Sequence, residues 1–446
     1  MAAVTVVGGG LSGSEAAYQL AERGHQVTLY EMRPVRGTPA HQTDRLAEVV
    51  CTNSFKSVDP LTAHGLLKTE MRALGSLLLR VAEESRVPGG TALVVDRDEF
   101  SQRMTAAIEA HPRIRVVREE VGELPTGPSI VATGPLTSDA LSASVRAALG
   151  EEGLAFFDAI APIVSHDSLN HEALFAASRW GKGEGDDYLN APFTKAQYET
   201  FIDALRGAES YEGHDWENVP YFEGCLPIEV MAARGADTLR FGPMKPVGLP
   251  VPQWGGKRAY AILQLRREDR AGQMYNLVGF QTRLKIPEQR RVLQMIPGLE
   301  HAEFLRYGSI HRNTYLNFPA ALSAHGSLRD RQDLLFAGQL TGVEGYTEST
   351  AVGILAAVNL DRIVRGEEPV VPPATTMLGG LMRYLRESDP RHFQPMNSNF
   401  GLLDPLDVEV RDKRRRREAL SERAQAGFTA WMADHGVRSA EEAVVA

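Results

Sequence analysis

Cysteine is scarce in this chain: 446 residues hold two, Cys51 and Cys225, far apart and each in a loop-like setting. Two thiols cannot build a disulfide scaffold, and without a C-x-x-C pair there is neither a dithiol redox site nor a cysteine zinc site. The twelve histidines show no ligand spacing. His166 and His171 lie among polar residues and read as surface groups, so we expect no metal. No apolar run approaches the ~20 residues of a membrane span, and no basic-then-apolar leader opens the chain. We therefore expect a soluble cytoplasmic protein, with no membrane contact and no obligate protein partner evident. A net charge of −9 argues against indiscriminate nucleic-acid binding while leaving room for a local basic face. Hydrophobic content of 43% with 24% charged residues is ordinary for a globular chain, so a sizeable core is expected.

What is present begins at once. Gly8, Gly10 and Gly13 spell G-x-G-x-x-G after the apolar stretch Val4 to Val7, and a helical pattern from Ser12 to Arg23 follows, then a second strand from Gln26 to Tyr30. That is one βαβ half of a dinucleotide fold. Gly8 permits the tight turn, Gly10 lets backbone approach a pyrophosphate, and Gly13 lets helix and strand pack closely, while the helix N-terminus offers free N–H groups to the anion. Glu31 ends the second strand, where a carboxylate accepts from a ribose hydroxyl. We place the dinucleotide on Gly8, Gly9, Gly10, Leu11, Ser12 and Gly13, with Glu31 and Arg33.

Further along, an irregular segment carrying Cys51 precedes a helix expected from about Leu61 to Glu84, with Pro60 suited to its first turn. Strands are expected at Thr91 to Val95, Arg113 to Val117 and from Ser129, with a helix from Arg97 to Ala110. From about residue 136 helical pieces alternate with Gly- and Pro-rich loops. Leu334 to Gln339 then reads as a strand returning to the first domain. It leads into a glycine-rich loop and an apolar helix from Thr350 to Leu360. A second helix N-terminus aimed at the cofactor suits a flavin, because reduction places negative charge on the N1/C2=O edge. FAD thus outranks NAD, and Gly338, Gln339, Gly342, Val343, Glu344 and Gly345 are its second set of expected contacts. No second G-x-G-x-x-G occurs, so NADH or NADPH would visit the flavin in an open cleft.

The stretches GGGLSGSEAA, YEMRP, CTNSFKS, FEGCLPIEVMAARG, LRFGPMKPVGL, FAGQLTGVEGYTEST and FQPMNSNFGL resemble, along nearly the whole chain, the folate- and FAD-dependent tRNA uracil-5-methyltransferases of the wider glucose-inhibited-division flavoprotein group. The resemblance implies an α/β fold: a Rossmann-type, glutathione-reductase-like FAD-binding domain interrupted by an α+β insertion domain. We expect the first in residues 1–95, about 200–240 and 330–446, and the insertion in about 96–200 and 241–329. It further implies that a methylene from 5,10-methylenetetrahydrofolate is reduced with flavin electrons supplied by NAD(P)H and left as a methyl on C5 of the T-loop uridine of tRNA. Relatives that modify the anticodon wobble uridine are the nearest alternative, and a small-molecule flavin oxidoreductase is another. The family often carries cysteine where this chain has Ala191.

Uracil C5 is a poor nucleophile, and thiolate addition at C6 is the usual remedy. Cys225, between Gly224 and Pro227, is the candidate for that attack. For Cys51 the resemblance suggests a role at the flavin, as base for the C5 proton or as partner to the transferred carbon. His311, Arg312 and Tyr346 are candidate folate contacts, and the run Arg240 to Gly248 could add donors and an aromatic wall. For the T-arm of tRNA the basic material is Arg266, Arg267, Arg270, Arg283, Lys285, Arg290, Arg291, Arg411 and Lys413 to Arg417.

Overall fold

The computed structural model describes residues 1–38, 41–50, 53–87, 91–149, 154–157, 161–181, 188–211, 227–267, 272–308 and 313–440. The chain divides into two compact units, Met1–Phe156 with Asn313–Ala446, and Phe157–Arg312. Among the described residues no helix is long and apolar enough to cross a membrane.

The first unit is built on a six-stranded sheet in the order Ser327–Leu328, Arg331–Phe336, Ser129–Val131, Ala3–Val7, Gln26–Glu31, Ile114–Arg118. Its pairings are parallel except for the hairpin at the Ser327 edge. Val6 and Val7, Ile130 and Val131, and Leu334 to Phe336 are all buried, as expected where helices cover both faces of a parallel sheet. The helix Leu11–Glu22 packs on the helix Tyr346–Val364. Small residues permit the approach: a Cβ on Gly353 would stand 2.6 Å from the Ser12 carbonyl oxygen.

Three expectations change here. The helix expected from Leu61 to Glu84 is two helices, Ala63–Ala73 and Leu77–Glu84. Gly75 turns the chain at φ +72, and the buried Glu15 carboxyl group takes the Leu77 and Leu78 N–H groups and the Ser76 hydroxyl, so the second helix is capped by a side chain from another element. The helix expected from Thr350 begins at Tyr346, because Gly345, at φ +115, turns directly into it. The domain boundaries also move. Strands Ile114–Arg118 and Ser129–Val131 belong to the parallel sheet, so residues 96–156 join the first unit, whereas the helix Lys195–Arg206 and residues 227–240 lie in the second.

The second unit holds an antiparallel sheet in the order Phe175–Ala176, Tyr188–Phe193, Ala261–Arg267, Met274–Leu277, Ile163–Ser165, Phe304–Arg306. Against it lies Lys195–Arg206, opened by a capping box between Thr194 and Gln197. Phe193, Tyr198, Phe201, Leu263 and Phe280 form the core between them. Ala191 lies fully buried in that core, so a side chain at this position packs against its neighbours.

Candidate cofactor site

The first glycine loop has the shape its sequence requires. Gly8 has φ +103, and a Cβ there would lie 2.6 Å from the Ala132 carbonyl oxygen. On Gly13 it would lie 1.8 Å from the Gly8 carbonyl oxygen. Gly10 differs: a Cβ there would meet nothing within 4 Å, so the surrounding protein leaves room for a larger residue. A cleft opens beside it, walled by Val7, Tyr30, Glu31, Arg33, His41 and Thr133.

Glu31 holds this loop in place. Its Oε2 accepts from the Gly9 N–H at 2.9 Å, and its Oε1 from the Arg33 N–H and Nε at 3.0 and 2.9 Å. Burial acts to raise this carboxyl, yet the Arg33 hydrogen bond and charge, with the Arg33 and Gly9 N–H groups, keep it below its ordinary range. Oε2 retains a lone pair for a hydroxyl. Arg33 continues the network to the Thr43 carbonyl oxygen and to Glu48, both at 3.0 Å.

The second glycine loop meets the first. Gly338, at φ +74, lies where a Cβ would stand 2.8 Å from the Ser12 Cβ. The Ser12 hydroxyl is buried there without a partner among the described residues. Residues Gly342 to Glu344 are zipped to Met396 by two backbone hydrogen bonds, of 2.9 and 2.8 Å. The helix Tyr346–Val364 then opens at Gly345 without a side-chain cap.

Behind that helix terminus lies a buried charge cluster. Glu348 accepts from His64 Nδ1 at 3.1 Å and from the Ser398 N–H at 2.9 Å. Although burial opposes ionisation, the His64 hydrogen bond and the Lys56 charge hold this carboxyl far below the usual carboxylate range. Burial lowers His64, against the pull of Glu348. Burial also lowers Lys68, to about 8; its Nζ donates to the carbonyl oxygens of Ser57 and His64.

The sequence profile described as glucose inhibited division protein A matches residues 3–368. The chain is 53% identical to the Methylenetetrahydrofolate--tRNA-(uracil-5-)-methyltransferase TrmFO of Geobacter sulfurreducens, over 97% of this chain and 99% of that one. It is 54% identical to the protein of the same name from Symbiobacterium thermophilum, over 97% of each. This chain belongs to the TrmFO family. Among solved structures, Aquifex aeolicus GidA aligns with 99% of this chain and 75% of its own, at TM-score 0.50 and 16% identity, a likeness of fold.

Within this TrmFO family member the structure brings Gly8 to Gly13, Glu31, Arg33, Gly338 and Gly342 to Gly345 into one unit. Cys51, Cys225, His311 and Arg312 lie outside the described residues. Tyr346 is the first residue of the long helix and packs on Phe55, ring centroids 5.7 Å apart. His166 and His171 sit at the surface with rings 4.3 Å apart, and no cluster among the described residues could hold a metal. Of the basic residues expected to meet RNA, Arg283 pairs with Glu229, Lys285 with Glu209 and Arg291 with Glu288. Sequence reasoning missed Glu48, His64, Lys68, Glu348 and Ser398. The last two lie in YTEST and FQPMNSNFGL, but nothing in either motif shows that they meet.

Proposed function

We propose that this protein methylates C5 of the T-loop uridine of tRNA, using 5,10-methylenetetrahydrofolate as carbon donor and FAD, re-reduced by NADH or NADPH, as the source of reducing equivalents. It is an enzyme of the methylenetetrahydrofolate--tRNA-(uracil-5-)-methyltransferase class. The observation that carries this reading is identity above one half over nearly the full length of relatives bearing that name.

The residues present fit FAD. The open face of Gly10 and the unpartnered Ser12 hydroxyl are two features that the protein alone leaves unexplained. Gly8 to Gly13 and Ser12 would hold the pyrophosphate, Glu31 Oε2 a ribose hydroxyl, and the Tyr346 helix N-terminus the pyrimidine edge. When bound there, FAD supplies the hydride that turns a transferred methylene into methyl.

The chain's own part in the chemistry is to make C5 a carbanion. The Cys225 thiolate adds to uracil C6, forming an S–C6 bond and moving the ring's electron pair to C5 and O4. Later loss of the C5 proton and expulsion of the thiolate restore the ring. Cys51 serves at the flavin. The test uses tRNA containing 5-fluorouridine, whose C5 fluorine cannot leave as a proton. Wild-type enzyme is expected to form a covalent complex, and Cys225→Ala to form none while still binding FAD and tRNA. An adduct that persists in Cys225→Ala and is lost in Cys51→Ala would exchange the two thiols' roles.

A further inference from the structure

The second unit displays two aromatic rings to solvent beside a run of positive charge in which Arg240 pairs with Asp237 and the other cations have no acidic partner among the described residues. Trp180 is 69% exposed and Phe241 73%. From Thr238 to Arg258 the chain carries Arg240, Lys245, Lys257 and Arg258 and no Asp or Glu, although the whole protein has a net charge of −9. Lys245, Lys257 and Arg258 are exposed and have no ion-pair partner among the described residues. This contrasts with Arg283, Lys285 and Arg291, each already paired with a glutamate.

Trp180 is held in place and is not merely exposed. It adopts φ +60, a left-handed conformation unfavourable for a bulky residue, and its N–H donates to the Gly248 carbonyl oxygen at 3.0 Å. A Cβ on Gly248 would stand 2.7 Å from the indole Cε2, so glycine lets one side of the ring system lie against backbone while the rest stays in water. Arg179 anchors the turn from beneath, its guanidinium donating to Gln264 Oε1 at 2.8 Å and to the Val247 carbonyl oxygen at 2.7 Å. Phe241 is braced likewise: the Arg240 guanidinium lies 5.5 Å from its centroid and 4.1 Å from that of Tyr260. Strain retained to present an exposed ring points to a function for that ring.

We propose that Trp180 and the Thr238 to Arg258 segment form a tRNA-contacting face, on which Trp180 and Phe241 stack against unpaired bases and Lys245, Lys257 and Arg258 hold backbone phosphates. It rests on the tRNA reading above. Single-stranded RNA is bound by this combination, because every base offers a π face and every nucleotide a charge.

The experiment measures binding of unmodified tRNA transcript to the FAD-loaded full-length enzyme across a salt series. Trp180→Asn, tolerated in the left-handed region, and Phe241→Ala are each expected to weaken binding roughly tenfold with the salt slope unchanged. Combined Lys245→Ala, Lys257→Ala and Arg258→Ala is expected to reduce the slope of log affinity against log salt by about 2. Melting temperatures of all variants should match wild type, which separates a lost contact from a lost fold. Variants that bind tRNA as wild type does would overturn this face alone. Variants that lose methylenetetrahydrofolate affinity and keep tRNA affinity would overturn it in favour of a folate wall. Wild-type enzyme that fails to bind tRNA would overturn the functional reading and this face with it.

Discussion

Gly10 and Gly13 belong to one fingerprint, yet the structure predicts opposite consequences when each gains a side chain. Gly10 has an extended backbone, φ −73 and ψ −169, that any residue adopts, and open space where a Cβ would go. Gly10→Val should therefore change the stability of the cofactor-free protein by no more than about 1 kcal/mol, the scale of an altered helix N-cap. Its methyls would stand where the pyrophosphate passes. Gly13→Ala places a Cβ 1.8 Å from a backbone carbonyl oxygen, and no side chain can move aside to relieve it. Overpacking against backbone costs about 3 kcal/mol or more. At roughly 2 to 4 °C per kcal/mol for a unit of this size, Gly13→Ala should melt well below wild type, and Gly10→Val within a few degrees of it. Adding FAD at a hundredfold excess over its dissociation constant stabilises wild type by about 2.7 kcal/mol. Gly10→Val should gain nothing and should purify without flavin absorbance. Thermal melts of the three proteins with and without FAD decide the matter. A Gly10→Val variant that keeps the FAD-dependent rise would refute the placement of the pyrophosphate. A Gly13→Ala variant as stable as wild type would refute the packing argument.

Two further outcomes follow from the buried cluster at the second helix. Lys68 sits near 8 in the fold against an ordinary 10.5, so between those values the unfolded chain binds the extra proton and stability rises with pH. The contribution is about 3 kcal/mol, and Lys68→Met should remove that rise; denaturant titrations in which both proteins run parallel from pH 8 to 10.5 would exclude it. Glu348, held low, contributes stability that is present above the ordinary 4.5 and lost as pH falls through its folded value. Glu348→Gln should thus cost about 1 to 3 kcal/mol at neutral pH, as for a lost hydrogen bond to a charged group, and the gap from wild type should narrow under acid. A gap independent of pH would show that charge is not its source.

Much of the cofactor half was legible because its constraints are local. The turn at Gly8, the helix behind it and the strand ending at Glu31 are set by neighbours within one βαβ unit, and period and glycine spacing report them. Glu31 and Arg33 were both singled out in the sequence, but the clamp that joins them to Gly9 and Glu48 was not, since G-x-G-x-x-G says nothing about residue 48. The break at Gly75 was hidden for a related reason. The apolar stripe continues through it, and the side chain that caps the next helix is Glu15, on another element. His64, Glu348 and Ser398 come from three distant segments, so only the fold brings them together. Which of the basic residues carry an acidic partner was not legible either, because sequence counts cations and not the glutamates that fold against Arg283, Lys285 and Arg291.

The strand Arg331–Phe336 lies beside Ser129–Val131 in the parallel sheet, with the whole second unit between them in the chain. During synthesis from the N-terminus, the earlier strands therefore leave the ribosome with one edge of the sheet unpaired. They must wait for Phe157–Arg312 to be made before that edge is covered. The helix Tyr346–Val364, which covers Leu11–Glu22, arrives later still. The inserted unit, contiguous in sequence, can complete its own sheet in the meantime. Such long-range pairing is slow and leaves an exposed strand edge, so the nascent first unit is where a chaperone would be needed. Its dinucleotide site cannot be assembled until nearly the last quarter of translation, because Gly338 and the helix at Tyr346 complete what Gly8 began.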